Sequence, residues 1–134
     1  MVTRLLPPLL LTAVAVMQVF LTYAAGMTPW KGGGFGMFST LDHGAHRGVA
    51  VVVDAPSRSE EIEIPRSLED ATARAAACPI DWFLRRLAQD IVERERRERR
   101  PVTRVTLTAW RIEFDPSTLQ ATEQPMRTFV YNVP

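Results

Sequence analysis

The chain contains few of the residues on which disulfide, redox and metal chemistry depend. Among its 134 residues there are one cysteine, Cys78, and two histidines. A single cysteine cannot form an intramolecular disulfide, a Cys-x-x-Cys redox pair or a zinc site built from cysteines. Because Cys78 precedes a proline in an alanine-rich stretch, we expect this thiol to be buried and inert.

The chain also lacks a surplus of either charge. It has 16 basic and 15 acidic side chains, and the two signs balance once Arg4 is set aside. Proteins that bind nucleic acid normally carry a basic surplus that neutralises phosphates. We therefore predict no nucleic-acid partner. Lysine is nearly absent too, since Lys31 is the only one, and this Arg- and Ala-rich composition indicates a GC-rich bacterial genome.

One long apolar segment opens the chain. Residues 5–25 contain no charged side chain, and about 20 helical residues cross the hydrocarbon layer of a membrane. Pro7 and Pro8 are expected in the first helical turn, where a missing N–H costs little. Tyr23 and Trp30 would then mark the far interface. The sequence predicts a tail and transmembrane anchor at residues 1–26, in contact with membrane lipid.

A cleaved signal peptide is the alternative interpretation of this segment, because Arg4 precedes the apolar run and small residues lie at residues 22–24. The run is longer than the roughly 7 to 15 apolar residues of a signal peptide, which favours an uncleaved anchor. Arg4 and the free amine favour a cytoplasmic N-terminus, although Lys31 weakens the asymmetry. We predict a single-pass protein of the cell membrane with an extracytoplasmic C-terminal domain.

One stripe of the predicted anchor helix is small and polar. Ala15, Gln18, Thr22 and Ala25 recur at intervals of three or four residues and share one face. Small residues let helices approach closely, and an amide inside the membrane needs a partner that lipid cannot supply. We predict that Ala15, Gln18 and Thr22 bind another helix. The alternative is a single glutamine tolerated in an apolar helix.

A glycine-rich segment at residues 27–38 follows the anchor. Its density of glycine permits backbone conformations and close approaches that other residues cannot adopt, and it matches neither the phosphate loop nor the dinucleotide fingerprint. We predict that the segment docks on the membrane surface or on a partner protein; the alternative is a linker leading into the first strand. The predicted contact residues are Trp30, Gly32, Gly33, Gly34, Phe35, Gly36, Met37 and Phe38.

The string Trp-x-Gly-Gly-Gly-Phe-Gly-Met-Phe at residues 30–38 resembles a group of uncharacterised short bacterial membrane proteins with a single span. The resemblance covers the span and the segment after it. It implies the same topology and no known activity.

Residues 39–134 are predicted to form one α+β domain. The order β-β-β-α-α-β-β indicates a mostly antiparallel sheet with helices on one face. Strands are predicted at residues 37–41, 48–53, 61–64, 101–114 and 128–133, and helices at residues 67–77 and 80–99.

Local signals define several of these elements. Ser67 and Asp70 resemble a capping box that opens the first helix. In the long strand the apolar alternation changes phase near Ala109, which predicts a bulge or a change of sheet face. The stripe of the second helix that should meet the sheet consists of Ile80, Phe83, Leu84, Leu87, Ala88 and Ile91.

The end of the second helix is rich in charges of both signs. Acid-to-base pairs at four-residue spacing support a helix exposed to solvent. The predicted pairs are Asp90 with Arg94, Glu93 with Arg97 and Glu95 with Arg99.

The only cluster that suggests chemistry is Asp42, His43 and His46. Two imidazoles and a carboxylate could ligate a metal, or Asp42 could orient one histidine as a base. A zinc site usually needs further nearby ligands, however, and Asp and Gly also form solvated turns. We therefore predict no catalytic residue, no bound metal and no cofactor.

These patterns favour a non-catalytic accessory or interaction subunit of a larger membrane protein assembly. Its partner would be a polytopic membrane protein or another copy of the same chain. The alternative is a membrane-tethered enzyme or metal-binding domain that uses His43 and His46.

Overall fold

A computed structural model describes residues 2–27, 44–115 and 117–134 of the chain. The predicted α+β class is confirmed, and the predicted strand at residues 37–41 lies outside the described residues. The elements are helix α1 (Val2–Ala24), strands β1 (Arg47–Ala55) and β2 (Arg58–Glu61), helices α2 (Glu69–Ala77) and α3 (Asp81–Arg97), and strands β3 (Arg104–Phe114) and β4 (Ala121–Asn132).

The four strands form one antiparallel sheet in the order β2-β1-β3-β4. Successive side chains of a strand point to opposite faces, so the odd-numbered residues of β1 and β3 face α2 and α3. The predicted central strand at residues 48–53 is confirmed as part of β1. The buried core consists of Val49, Val51, Val53, Ala75, Ala76, Leu84, Leu87, Ala88, Ile91, Val92, Val105, Leu107 and Ala109.

The second strand lies earlier than predicted. It ends at Glu61, and the last bond to β1 runs from the Ile62 backbone N–H to the Val51 carbonyl (3.0 Å). The predicted alternation of burial holds, because Ile62 and Ile64 pack against the core while Glu63 is exposed. Strand pairing stops because the chain leaves the sheet toward Pro65, which has no N–H to donate.

The first domain helix begins differently from the prediction. Ser67 lies in a short 3-10 turn, and the cap of α2 is Leu68, which makes no capping bond through its side chain. The predicted capping box is therefore wrong. A backbone bond from Leu68 N–H to the Pro65 carbonyl (2.9 Å) tightens this turn, and α2 ends at Ala77 as expected.

Helix α3 is confirmed, and most of its predicted stripe is buried. Of the charge pairs, only Glu93 with Arg97 forms as predicted (3.8 Å). Asp90 pairs instead with Arg86 (3.6 Å). The prediction fails for Glu95, which is 1% exposed and forms an ion pair with Arg58. Its face of α3 lies toward the β1–β2 hairpin, where Arg58 reaches it.

The irregularity predicted near Ala109 is confirmed. Ala109 pairs with Arg127 and the next residue, Trp110, pairs with Pro125, so Met126 is the extra residue and the bulge lies in β4. Strand β4 begins at Ala121, well before the predicted residue 128. Its first half was missed because Pro125 and the charged residues beside it resemble a loop.

Helix α1 begins at Val2, so Pro7 and Pro8 lie inside it and not in its first turn as predicted. The Thr12 hydroxyl donates to the Pro8 carbonyl (2.8 Å), within the part of the helix that the prolines interrupt. A kink at this point is the usual consequence of proline, but both prolines are near the helix start, where few bonds are lost.

Candidate interaction surface

Helix α1 presents a continuous apolar surface. In the described part of the chain, Leu6–Ala24 is the one helix long and apolar enough to cross a membrane, and none of it is buried against the domain. Leu9 is 67% and Phe20 63% exposed. By length and composition the helix is compatible with a single membrane span, although a signal sequence near an N-terminus has the same properties.

The predicted polar stripe lies on one side of α1, with Gln18 and Thr22 half-buried and Ala15 exposed, and Ala25 lies half-buried just after the helix ends. The Thr22 hydroxyl donates to the Gln18 carbonyl (2.9 Å), which satisfies it within the helix. The side-chain amide of Gln18 makes no hydrogen bond with any residue that the structure describes. Among the side chains of α1 that the structure describes, it is the polar group that most needs an external partner.

The C-terminal end of α1 is fixed to the domain. Gly26 has a positive φ of 61°, the left-handed conformation that commonly ends a helix. Its carbonyl accepts a hydrogen bond from Arg47 Nη1 at 2.6 Å. A Cβ placed on Gly26 would lie 3.3 Å from Met126 Cε and 3.7 Å from Pro79 Cγ, so this turn packs closely on the domain.

Arg47 links this turn to the end of α2. The same guanidinium nitrogen donates to the carbonyls of Ala77 (3.2 Å) and Ala76 (3.4 Å), and Arg47 is 7% exposed. The last carbonyls of a helix lack partners within it and carry partial negative charge, so a buried arginine is stabilised there. We call Gly26, Arg47, Ala76, Ala77 and Pro79 the anchor junction.

Arg47 is buried although it directly follows the turn Gly44–His46, where charged side chains are usually solvated. The available signal was its phase, because Arg47 has the same parity as Val49, Val51 and Val53 and therefore faces the helices. Its carbonyl partners are distant in sequence, so no local pattern identifies them.

Cys78 lies directly beside the anchor junction. It is buried, as predicted, and burial raises the pKa of its thiol, which keeps it protonated at neutral pH. A thiol in that state is a poor nucleophile.

The face of the sheet opposite the helices carries a second apolar surface. The Trp110 indole lies over Gly48, where a Cβ would be 2.6 Å from Cε2 and 2.9 Å from Cη2. On the same face Phe114 is 41% and Val130 50% exposed. His46, in the turn before β1, packs edge-to-face on Phe114 with ring centroids 5.5 Å apart. We call this side the open face of the sheet.

Several predicted site residues cannot be placed in this geometry. The glycine-rich segment at residues 30–38 lies outside the described residues, as do Asp42 and His43. Among the residues described, no group of three His, Cys, Asp or Glu side chains could hold a metal ion. Comparison of the chain with protein-family models, with curated proteins and with solved structures finds no match.

Proposed function

We propose that the chain is a membrane-anchored, non-catalytic accessory subunit that docks on a larger membrane protein. Helix α1 and the glycine-rich segment form the docking surface, the N-terminus is cytoplasmic and the domain is extracytoplasmic. The observation that best supports this proposal is the anchor junction, in which Arg47 bonds the Gly26 carbonyl at the end of α1.

A tether for an independent enzyme needs only reach, which a flexible linker supplies. The anchor junction adds a buried guanidinium that bonds carbonyls of both α1 and α2. Hydrogen bonds to a charged group contribute more than neutral ones, about 1.5–3 kcal/mol each. The orientation of the domain therefore follows that of α1, so a partner that binds α1 also positions the open face of the sheet.

The Gln18 amide supports a helix as the docking partner. Hydrocarbon offers neither a donor nor an acceptor, so an amide at this depth is stabilised when a neighbouring helix bonds it. The adjacent Ala15 and Ala25 are small and permit close approach along the same stripe.

The first experiment tests the anchor against the signal-peptide alternative. The full-length chain is expressed in a bacterium, the membranes are washed with alkaline carbonate, and the intact mass is measured. We expect the uncleaved chain to stay in the membrane. A carbonate-soluble product that lacks the apolar segment would overturn the anchor. A cytoplasm-dependent reporter fused after Val133 should be inactive, and strong activity would reverse the orientation.

The second experiment tests docking. Tagged full-length protein is recovered from native membranes in mild detergent, and a co-purifying membrane protein is quantified. Gln18→Leu and the double substitution of Gly33 and Gly34 by Val should each reduce its recovery severalfold at equal expression. Phe20→Leu is the matched control, because Phe20 lies on the opposite side of α1. Equal recovery with all three variants would sink the docking proposal.

A further inference from the structure

The two edges of the sheet differ in how they are protected against pairing with another strand. The β2 edge is only four residues long, and it carries Arg58, Glu60 and Glu61. Short, charged edge strands resist pairing. The β4 edge is 12 residues long. Its second half, residues 128–132, contains no charged residue and no proline.

The hydrogen-bond alternation shows which backbone groups of β4 face outward. The bond from Ile62 N–H to the Val51 carbonyl shows that the backbone N–H and C=O groups of the odd-numbered residues of β1 point toward β2. Along a strand, successive residues direct their backbone groups to opposite neighbours, so the even-numbered residues of β1 form hydrogen bonds with β3. By the same alternation, the odd-numbered residues of β3 form hydrogen bonds with β4. Tyr131 and Phe129, which pair with Val105 and Leu107, therefore bond β3.

The intervening residues Thr128, Val130 and Asn132 consequently direct their N–H and C=O groups to the free edge. No other segment that the structure describes bonds these groups. Pro125 pairs with Trp110, whose backbone groups face β1, so Pro125 also faces the free edge and offers no N–H there. Within the part of the chain that the structure describes, the first half of β4 is thus blocked and the second half is open.

We propose that two copies of this chain pair through the second half of β4, antiparallel about a two-fold axis at Val130. The pairing joins two four-stranded sheets into one continuous sheet. An antiparallel edge is complementary to itself, because Val130 meets Val130 and Thr128 meets Asn132 of the second copy. About six new backbone hydrogen bonds form.

The side chains fit this register on both faces. On the helix face, Phe129 lies opposite Tyr131 of the second copy. The two-fold axis generates a second, identical pair, in which Tyr131 lies opposite Phe129 of the second copy. Aromatic cross-strand pairs of this kind stabilise antiparallel sheets. Arg127 lies opposite Val133, so no two like charges meet. A second copy therefore supplies chemistry that matches residues 127–133 throughout.

The axis is also compatible with two anchors in one membrane. It runs perpendicular to the sheet, so α2 and α3 of both copies lie on the same side. The end of α1 contacts Arg47 and Pro79 on that helix side. Both anchors therefore leave the joined sheet from the same side, as two parallel spans require.

Pairing through β4 needs neither the docking partner nor Gln18, so it is tested on the purified full-length chain in detergent. Light scattering should give the mass of a dimer. Val130 is half exposed in the single chain, and Val130→Lys should leave the fold intact by circular dichroism. The substitution places two lysine side chains opposite each other at the two-fold axis, so the dimer dissociation constant should rise about tenfold or more.

A charge-swap experiment identifies the axis. Val130→Lys and Val130→Glu, each expected to dimerise at least about tenfold more weakly than wild type, should form a mixed dimer when combined, because residue 130 faces itself. Thr122→Lys, on β4 beyond Pro125, is the matched control and should remain dimeric. A monomeric wild type would overturn the proposal, as would a dimer that Val130→Lys and Val130→Glu leave intact. Neither result depends on the partner-recovery experiment.

Discussion

The two faces of the sheet are built from alternate residues of the same strands, yet only the helix-covered face contains fully buried side chains. On the helix-covered face Val51, Val53 and Leu107 have no exposed surface. On the open face Phe114 and Val130 are 41% and 50% exposed. Fold stability is therefore concentrated in one set of residues, and the other set is available for contacts outside the chain.

Truncation of one side chain on each face should give the largest difference. Leu107→Ala leaves a cavity beneath α3, and we expect the free energy of unfolding to fall by about 3 kcal/mol. Val130→Ala removes half-exposed surface and should cost less than about 1 kcal/mol. Urea denaturation of the full-length chain in detergent, followed by circular dichroism, measures both. Equal losses would contradict the contrast between the faces.

Burial that follows the regular period of a strand or helix could be predicted from the sequence. The alternation of β1 and β3 and the stripe of α3 are local patterns, because the period of each element places its apolar residues on one side. The phase change near Ala109 located the bulge for the same reason. The stripe with Gln18 in α1 also followed from periodicity.

The distant partners that allow a charged side chain to be buried could not be predicted. Arg47 is buried because carbonyls of α1 and α2 receive its hydrogen bonds, and Glu95 is buried because Arg58 of the hairpin reaches it. Glu95 was assigned to solvent from its charge, and the phase of Arg47 in β1 indicates its face but not its partners. A charged side chain enters a core only when the fold brings it a partner, and no local pattern reports that partner. The anchor junction was missed on the same grounds.

Adding one methyl group to the open face should have an intermediate effect. A Cβ at Gly48 would overlap the Trp110 indole, which must shift to admit it. Gly48→Ala should therefore lower the free energy of unfolding by about 1–2 kcal/mol. Gly44→Ala is the matched control, since a Cβ there meets nothing within 4 Å. Near-ultraviolet circular dichroism should also change for Gly48→Ala only, because the tryptophan moves.

The smallest effect on stability is expected at Asp54, the last even-numbered residue of β1. Hydrogen bonds from the Ser59 hydroxyl (2.5 Å) and Arg104 Nε (2.8 Å) hold the pKa of this carboxyl below its ordinary value. The ionised form thus binds its partners only in the folded chain. The ionised carboxyl therefore stabilises the folded chain, and this stabilisation is fully present above the pKa that Asp54 has in the unfolded chain, near pH 4. It is lost as the pH falls through the lower pKa that Asp54 has in the folded chain.

Asp54→Asn should therefore be slightly less stable than wild type at neutral pH, and the two stability curves should converge as the pH falls. Asp115, whose pKa is lowered by the backbone N–H groups of Thr118 and Ser117, acts in the same direction. The wild-type curve therefore contains both contributions, and the difference between wild type and Asp54→Asn isolates one. Because Asp54 lies outside the buried core, this substitution should not approach the loss expected for Leu107→Ala. Thermal unfolding across this pH range measures the difference, and curves that stay parallel into acid would show that Asp54 contributes nothing through its charge.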